Sequence, residues 1–129
     1  MRTAYLDCFA GISGDMLLGA LLDAGLPPAV LEDAYAALDL DGISLHWQRQ
    51  MVQGIAVVQA TIRCRESHHH RGLKEIYTIL HESRLAPEVR DGAAQVFTRL
   101  AEAEAAVHGS TIEDVHFHVV GALDAIADI

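Results

Sequence analysis

Two neighbouring runs of alternating apolar and polar residues constrain the fold of this chain more than any other feature. In the first run, Ile43, Leu45 and Trp47 alternate with polar residues, which is the period of a half-buried strand. In the second run, one face is formed by the apolar residues Ala56, Val58, Ala60, Ile62 and Cys64. A turn near Gln53-Gly54 separates the two runs. The sequence therefore predicts a β-hairpin over residues 43–64.

Helical patterns lie on both sides of this hairpin. The spacing of apolar residues predicts helices over about residues 14–24, 28–38 and 73–80, and a longest helix from Pro87 to His108. The apolar stripe of the longest helix is predicted to contain Val89, Ala93, Val96, Phe97, Leu100, Ala103 and Val107. Residues 3–9 are predicted as a short buried strand, residues 115–120 as an extended segment and residues 121–129 as the start of another helix. The predicted fold class is therefore α+β, a small sheet including the hairpin with helices packed on one face.

The length and the charge of the chain limit the classes of function. With 129 residues, 51% of them hydrophobic, the chain has the size of a single folded domain spanning residues 1–129. Its net charge of −9 disfavours binding to nucleic acid or to an anionic membrane surface. No signal peptide is recognisable, and no run approaches the roughly 18 apolar residues of a membrane span. The cytoplasm is the expected location, where Cys8 and Cys64 are expected to be free buried thiols.

Histidine is the residue type that stands out in the composition. Five of the eight histidines fall into two short clusters, which are His68, His69 and His70, and then His116 and His118. The triplet lies at the start of a predicted helix, where the helix dipole favours neutral imidazole, the form that binds metals. Arg71 keeps its charge at that place, which a nearby anion would explain. A solvated loop with incidental histidines is the alternative interpretation of the triplet.

The motif His116-Phe117-His118 is the sharpest local signal for a metal. In an extended segment, residues i and i+2 point to the same side, so both imidazoles can reach one ion while Phe117 faces the core. Asp124 and Asp128 lie one helical turn apart just downstream, and they can complete a site or orient the imidazoles. The same spacing of histidines also occurs by chance and in unrelated hydrolases.

A glycine-containing turn joins the first predicted strand to the first helix. The run Asp7-Cys8-Phe9-Ala10-Gly11-Ile12-Ser13-Gly14-Asp15 exposes backbone amides at a helix amino terminus, which can bind phosphate or carboxylate. The aspartates at its two ends, Asp7 and Asp15, can hold a hard cation or a hydroxyl group. The alternative is an ordinary tight turn whose aspartate caps the helix.

Four separated motifs together resemble the LarC family of nickel-insertion proteins. They are the run Tyr5-Leu6-Asp7-Cys8-Phe9-Ala10-Gly11-Ile12-Ser13-Gly14-Asp15-Met16, the tripeptide His69-His70-Arg71, the stretch from Ala101 to Gly109, and the segment from Val115 to Ile129. Their order and spacing match the family along essentially the whole chain. The chain resembles the amino-terminal part of a longer family member, and the uncapped helical pattern at residues 121–129 also favours a piece of a larger protein.

The resemblance implies a function that composition cannot show. Family members are nickel chelatases of the lyase type that insert nickel into pyridinium-3,5-bisthiocarboxylic acid mononucleotide, completing the nickel-pincer cofactor of lactate racemase and related enzymes. The reaction consumes CTP with Mn²⁺ or Mg²⁺, and the CTP site is attributed to a carboxy-terminal domain absent from this chain. The expected partners are the mononucleotide precursor, CTP, further copies of the chain and the racemase apoenzyme. This part alone is expected to bind metal or precursor without turnover.

Within this resemblance, nickel is expected to bind first to the histidine triplet and then to pass to a second set of ligands. The candidate metal ligands are His68, His69, His70, His116, His118, Asp7, Asp15 and Asp124. Imidazole suits nickel, and an intermediate affinity lets the ion leave for the sulfur atoms of the precursor. The precursor phosphate is expected to be held by Gly11, Ser13, Gly14 and Arg71. One departure concerns Val119, which stands where the family usually has a glutamate.

Two other classes of function are compatible with the same residues. A metal-dependent hydrolase would use the paired histidines and an aspartate to activate water, and the chain alone would turn over a phosphoester or amide with zinc or manganese. A non-catalytic nickel-binding module would hold several nickel ions weakly and would have no affinity for a pyridinium nucleotide. His46 and His81 are expected to be structural, and His108 to form an ion pair with Glu104.

Overall fold

The computed structural model describes residues 3–65, 71–115, 117 and 123–129. In chain order its elements are the helices α1 (Gly14–Asp23) and α2 (Pro28–Leu38), the strands β1 (Ser44–Val52) and β2 (Ile55–Arg63), and the helices α3 (Leu73–Glu82), α4 (Pro87–His108) and α5 (Leu123–Asp128). A 3₁₀ turn over Ile112–Asp114 follows α4. This arrangement confirms the predicted α+β class, with helices packed on a small sheet. None of the helices within these ranges is long and apolar enough to span a lipid bilayer.

The predicted hairpin forms the sheet. Strands β1 and β2 pair antiparallel along their whole length, and Val52 lies opposite Ile55 at the turn. Gln53 and Gly54 connect the strands, and both have positive φ angles, of 51° and 84°. Two successive residues of this conformation form the type of turn whose twist matches that of paired strands. The turn therefore fixes the register, which in turn sets the side of the sheet that each residue faces.

Helix α1 covers one face of the hairpin. Gly19 of α1 lies directly on β2, because a Cβ atom at this position would be 2.5 Å from the backbone oxygen of Val58. Leu18 and Leu22 are buried beside this contact and pack with Ala60 of β2. The missing side chain at Gly19 therefore sets the distance between the helix and the sheet.

The main core contains residues of helices α2 to α5 and the segment around Phe117. Its largest fully buried side chains are Ile76, Phe97 and Phe117. The two phenylalanine rings are 6.3 Å apart between centroids and are tilted by 59°, a favourable aromatic arrangement. Phe117 is only 2% exposed, which confirms the prediction that the residue between His116 and His118 faces the core.

The longest helix has its predicted bounds, but part of its predicted apolar stripe is wrong. The side chains of Val89, Val96, Ala103 and Val107 are exposed. The buried side of α4 instead contains Ala93, Phe97, Ala101 and Ala105. Alanine is small enough to let neighbouring backbone approach the helix closely. The prediction was wrong because it assigned the larger valines to the buried side. Gly109 ends the helix with a positive φ of 63°, as predicted.

The predicted buried strand at residues 3–9 is also wrong. The segment has no regular secondary structure, and Tyr5 and Phe9 are 89% and 94% exposed. A strand needs a neighbour for its backbone hydrogen bonds, and in the described ranges β1 and β2 pair only with each other. The composition of the segment favours a strand, but it does not specify a partner. The predicted extended segment 115–120 lies largely outside the described residues.

Substitution of Gly19 by alanine is expected to destabilise the fold by about 1–3 kcal/mol, because the new methyl group would overlap the Val58 carbonyl. Gly92→Ala in α4 is the matched control, since nothing lies within 4 Å of a methyl group there. Alanine in an exposed helix position is favoured over glycine by ~0.5–1 kcal/mol, so this variant should gain stability. Urea unfolding measures both changes, and equal effects would contradict the described packing.

Candidate functional site

Three carboxylates come together where the start of α1 faces α5. Asp15 lies in the first turn of α1, Asp124 in the first turn of α5, and Asp128 at the end of α5. The pKa of Asp128 is raised, first by burial and then by the negative charges of Asp15 and Asp124. The structure therefore brings two predicted metal ligands, Asp15 and Asp124, into electrostatic contact with a third carboxylate.

Gly14 makes this approach of the two helices possible. A methyl group at Gly14 would overlap the Cβ atom of Asp128, and it would lie 2.9 Å from the Asp128 backbone oxygen. Any side chain at this position would therefore push α5 away from α1. Gly14 was predicted to bind phosphate; the structure gives it a packing role, and phosphate binding stays a prediction.

The side chain of Ser13 does not cap α1. Ser13 occupies the position before the helix, but its hydroxyl donates a hydrogen bond to the carboxylate of Asp15. The backbone N–H of Met16 donates to the same oxygen, Oδ1, at 2.9 Å. The start of α1 thus holds a carboxylate of its own, which the helix dipole stabilises.

The turn before α1 is closed by Gly11. Its φ of +82° lies in the region that favours glycine, and its N–H donates to the Cys8 carbonyl at 2.9 Å. Asp7 and Cys8 are both exposed in this segment, so the prediction of a buried thiol is wrong for Cys8. The role of Asp7 as a metal ligand stays a prediction.

Cys64 is a candidate site residue that the sequence analysis did not select. The thiol is free and half-buried directly after β2. Its pKa is raised first by burial and then by Asp124 and Asp128, while Arg71 lowers it. A thiol, carboxylates and a guanidinium therefore interact electrostatically at one place. The strand alternation puts Cys64 on the core-facing side of the hairpin, but it does not reveal that α5 lies next to it.

Tyr35 of α2 links the carboxylates to the helical core. Burial, and then the charge of Asp128, raise the pKa of Tyr35 to about 12. The Tyr35 hydroxyl and the Asp128 Oδ1 atom are both sealed from solvent, and neither has a hydrogen-bond partner among the described residues. Both residues line one cavity of about 150 Å³, whose other walls are mostly apolar. Two buried oxygens without partners thus belong to residues that line the same cavity.

A backbone hydrogen bond joins the neighbourhoods of the two histidine motifs. The N–H of Phe117 donates to the carbonyl oxygen of Arg71 at 3.4 Å. Arg71 directly follows the triplet His68-His69-His70 in the sequence, and Phe117 stands between His116 and His118. These five histidines lie outside the described residues. Arg71, Asp124 and Asp128 all act on the pKa of the Cys64 thiol, Arg71 lowering it and the two carboxylates raising it.

The described ranges do not by themselves form a complete metal site. Among residues 3–65, 71–115, 117 and 123–129, no group of three His, Cys, Asp or Glu side chains could hold a metal ion. The five histidines predicted as ligands are not among these residues, so metal ligation stays a prediction. His108 lies 3.6 Å from Glu104, which confirms their predicted ion pair.

Known proteins with similar sequences are described as nickel insertion proteins. A family model described as nickel insertion protein matches residues 4–129. The chain belongs to this family. A pyridinium-3,5-bisthiocarboxylic acid mononucleotide nickel insertion protein of Desulfitobacterium hafniense is 52% identical over 129 residues, which cover 100% of this chain and 32% of the relative. A protein of the same name from Staphylococcus epidermidis is 43% identical over 128 residues, which cover 99% of this chain and 32% of that protein.

Family membership confirms the resemblance drawn from the four motifs. The chain spans about a third of the length of the two relatives. No solved structure matches the chain.

The raised pKa of Asp128 predicts a stability that depends on pH. The folded chain keeps the proton on Asp128 to a higher pH than the unfolded chain does. This contribution to stability is therefore complete below the unfolded pKa of about 4 and is lost as the pH rises through the folded pKa. Asp128→Asn removes this loss, so the variant should gain stability over the parent between about pH 4 and neutrality.

The matched control is Asp33→Asn, which changes an exposed carboxylate of α2. Thermal unfolding midpoints across the pH range measure both variants against the parent. A difference between Asp128→Asn and the parent that stays constant with pH would contradict the described surroundings of Asp128.

Proposed function

We propose that this chain is the nickel-handling part of a protein that inserts nickel into pyridinium-3,5-bisthiocarboxylic acid mononucleotide. Family membership and the printed names of the relatives support this proposal. Nickel is a substrate of the reaction, which forms one carbon–nickel and two sulfur–nickel bonds. In the whole protein, CTP with Mn²⁺ or Mg²⁺ drives the insertion, and the product is the nickel-pincer cofactor of lactate racemase-type enzymes.

The contact between Phe117 and Arg71 is the observation that carries the residue assignment. One peptide bond separates Arg71 from His70, and one separates Phe117 from each of His116 and His118. The hydrogen bond between Phe117 and Arg71 therefore ties together two segments that are far apart in the sequence, each adjoining a histidine motif. Burial of Phe117 in the core fixes this junction.

The proposed path of nickel starts at the triplet His68–His70 and continues to His116 and His118. Asp15 and Asp124 follow as oxygen ligands, since their negative charges attract a divalent cation to the junction of α1 and α5. Imidazole and carboxylate bind nickel with an affinity that still lets it leave for the sulfur atoms of the precursor. Asp7 is exposed, and its role as a ligand stays a prediction.

The proposed anchor for the precursor is Arg71. Guanidinium binds phosphate through charge-assisted hydrogen bonds, and Arg71 lies beside the carboxylate group, where the cation is proposed to be released. The backbone amides of Gly11, Ser13 and Gly14 remain a second predicted phosphate contact. The carboxylates around the start of α1 favour a cation there, so Arg71 is the stronger candidate for the anion.

The double variant His116→Ala/His118→Ala, which lacks both imidazoles, is expected to bind Ni²⁺ at least about tenfold more weakly. Loss of a residue that only orients a metal ligand already weakens metal binding about tenfold, and loss of a ligand should cost at least as much. Isothermal titration calorimetry with Ni²⁺ measures the change. His46→Ala/His81→Ala is the matched control, because neither of these exposed histidines belongs to a cluster. Unchanged affinity in the first variant would remove the pair from the path.

Two other results would contradict the proposed function. Several weak nickel sites without affinity for a pyridinium nucleotide would indicate a nickel store. Hydrolysis of a phosphoester or amide by the chain with zinc or manganese would indicate a metal-dependent hydrolase.

A further inference from the structure

The buried Tyr35 hydroxyl is a polar group whose position the packing of the core does not explain. Tyr35 is 9% exposed, and its ring belongs to the main apolar core. A phenylalanine would supply the same ring without placing an oxygen in an apolar cavity. A buried hydroxyl without a partner destabilises a protein, so such a group calls for a specific explanation.

A second buried oxygen, on another residue that lines this cavity, gives that explanation. Oδ1 of Asp128 is also sealed from solvent and has no partner within the described ranges. The two residues line the cavity together, and the charge of Asp128 acts on the Tyr35 phenol. One oxygen carries a proton to donate and the other accepts, so the two groups are chemically complementary.

We propose that Tyr35 is a positioning residue whose hydroxyl donates a hydrogen bond to the carboxylate of Asp128 across their shared cavity. The two oxygens are not hydrogen-bonded in the structure, so the proposed bond requires the Asp128 side chain to rotate toward Tyr35. Such a bond engages one carboxylate oxygen and leaves the other available beside Asp15 and Asp124. Asp128 thereby becomes a fixed third carboxylate beside two proposed nickel ligands.

This role rests on the proposed function, because a fixed carboxylate has an effect only if a cation arrives at the junction of α1 and α5. Gly14 supports the arrangement, since its missing side chain leaves room for Asp128 directly against the start of α1. Tyr35 thus acts through Asp128, and it does so from inside the helical core.

The hydrogen bond is tested by urea unfolding of four chains: the parent, Tyr35→Phe, Asp128→Ala and the double variant. Alanine is used because an asparagine at this position would still accept a hydrogen bond through its amide oxygen. Tyr35→Phe is expected to raise the unfolding equilibrium constant about two- to tenfold in the parent and to have no such effect in the Asp128→Ala background. Equal effects in both backgrounds would overturn the hydrogen bond.

The positioning role is tested by calorimetry with Ni²⁺ on the same chains. Tyr35→Phe is expected to weaken the binding of Ni²⁺ about three- to tenfold, and only when Asp128 is present. The matched control is Tyr77→Phe in α3, whose hydroxyl is hydrogen-bonded to Thr98 and lies outside the cavity, and it should leave the affinity unchanged.

The possible failures can be told apart. If the effects of the Tyr35 and Asp128 substitutions on unfolding are coupled but Tyr35→Phe leaves the affinity for Ni²⁺ unchanged, the hydrogen bond is purely structural. That result would overturn the positioning role. A loss of affinity that persists in the Asp128→Ala background would show that Tyr35 acts by another route. Absence of nickel binding by the parent would overturn the proposed function and the positioning role, while the unfolding measurements would still decide whether the bond exists.

Discussion

The contact between Gly14 and Asp128 is the constraint on which the candidate site depends. It places the start of α1 directly against α5, and no side chain fits between them. Because α1 is fixed on the hairpin through Gly19, the same contact fixes α5 relative to the sheet. The contact of Gly14 with Asp128 and the contact of Gly19 with Val58 together set the positions of α1, α5 and the hairpin. The relative positions of Asp15, Asp124 and Cys64 follow from these two contacts.

The electrostatics of the junction are unfavourable for the chain alone. In a protein whose net charge is already −9, the pKa of Asp128 is raised first by burial and then by the negative charges of Asp15 and Asp124. Like charges at one place are stabilised by a cation or by donors of hydrogen bonds. The placement of Asp128 therefore costs some stability at neutral pH, and local rules of stability are most often broken at functional sites.

The sequence predicted the locally determined parts of the structure well. The hairpin, its turn and the bounds of α2 and α4 depend on neighbouring residues, and all were found as predicted. The segment 3–9 and the buried face of α4 depend on partners distant in the sequence, so residue patterns alone could not determine them. The same reason explains the site: Asp15 and Asp124 were selected by residue type, but Cys64 and Tyr35 became candidates only through the position of α5.

The distance along the sequence between Gly14 and Asp128 has a consequence for the order of folding. The turn at Gln53 and Gly54 brings its own neighbours together, so the hairpin can form early and at low entropic cost. The junction of α1 and α5 requires two segments far apart in the sequence to meet, which is slow because the intervening loop is long. The sheet is therefore expected to form first, and the carboxylates beside the contact between Gly14 and Asp128 take their places only after it.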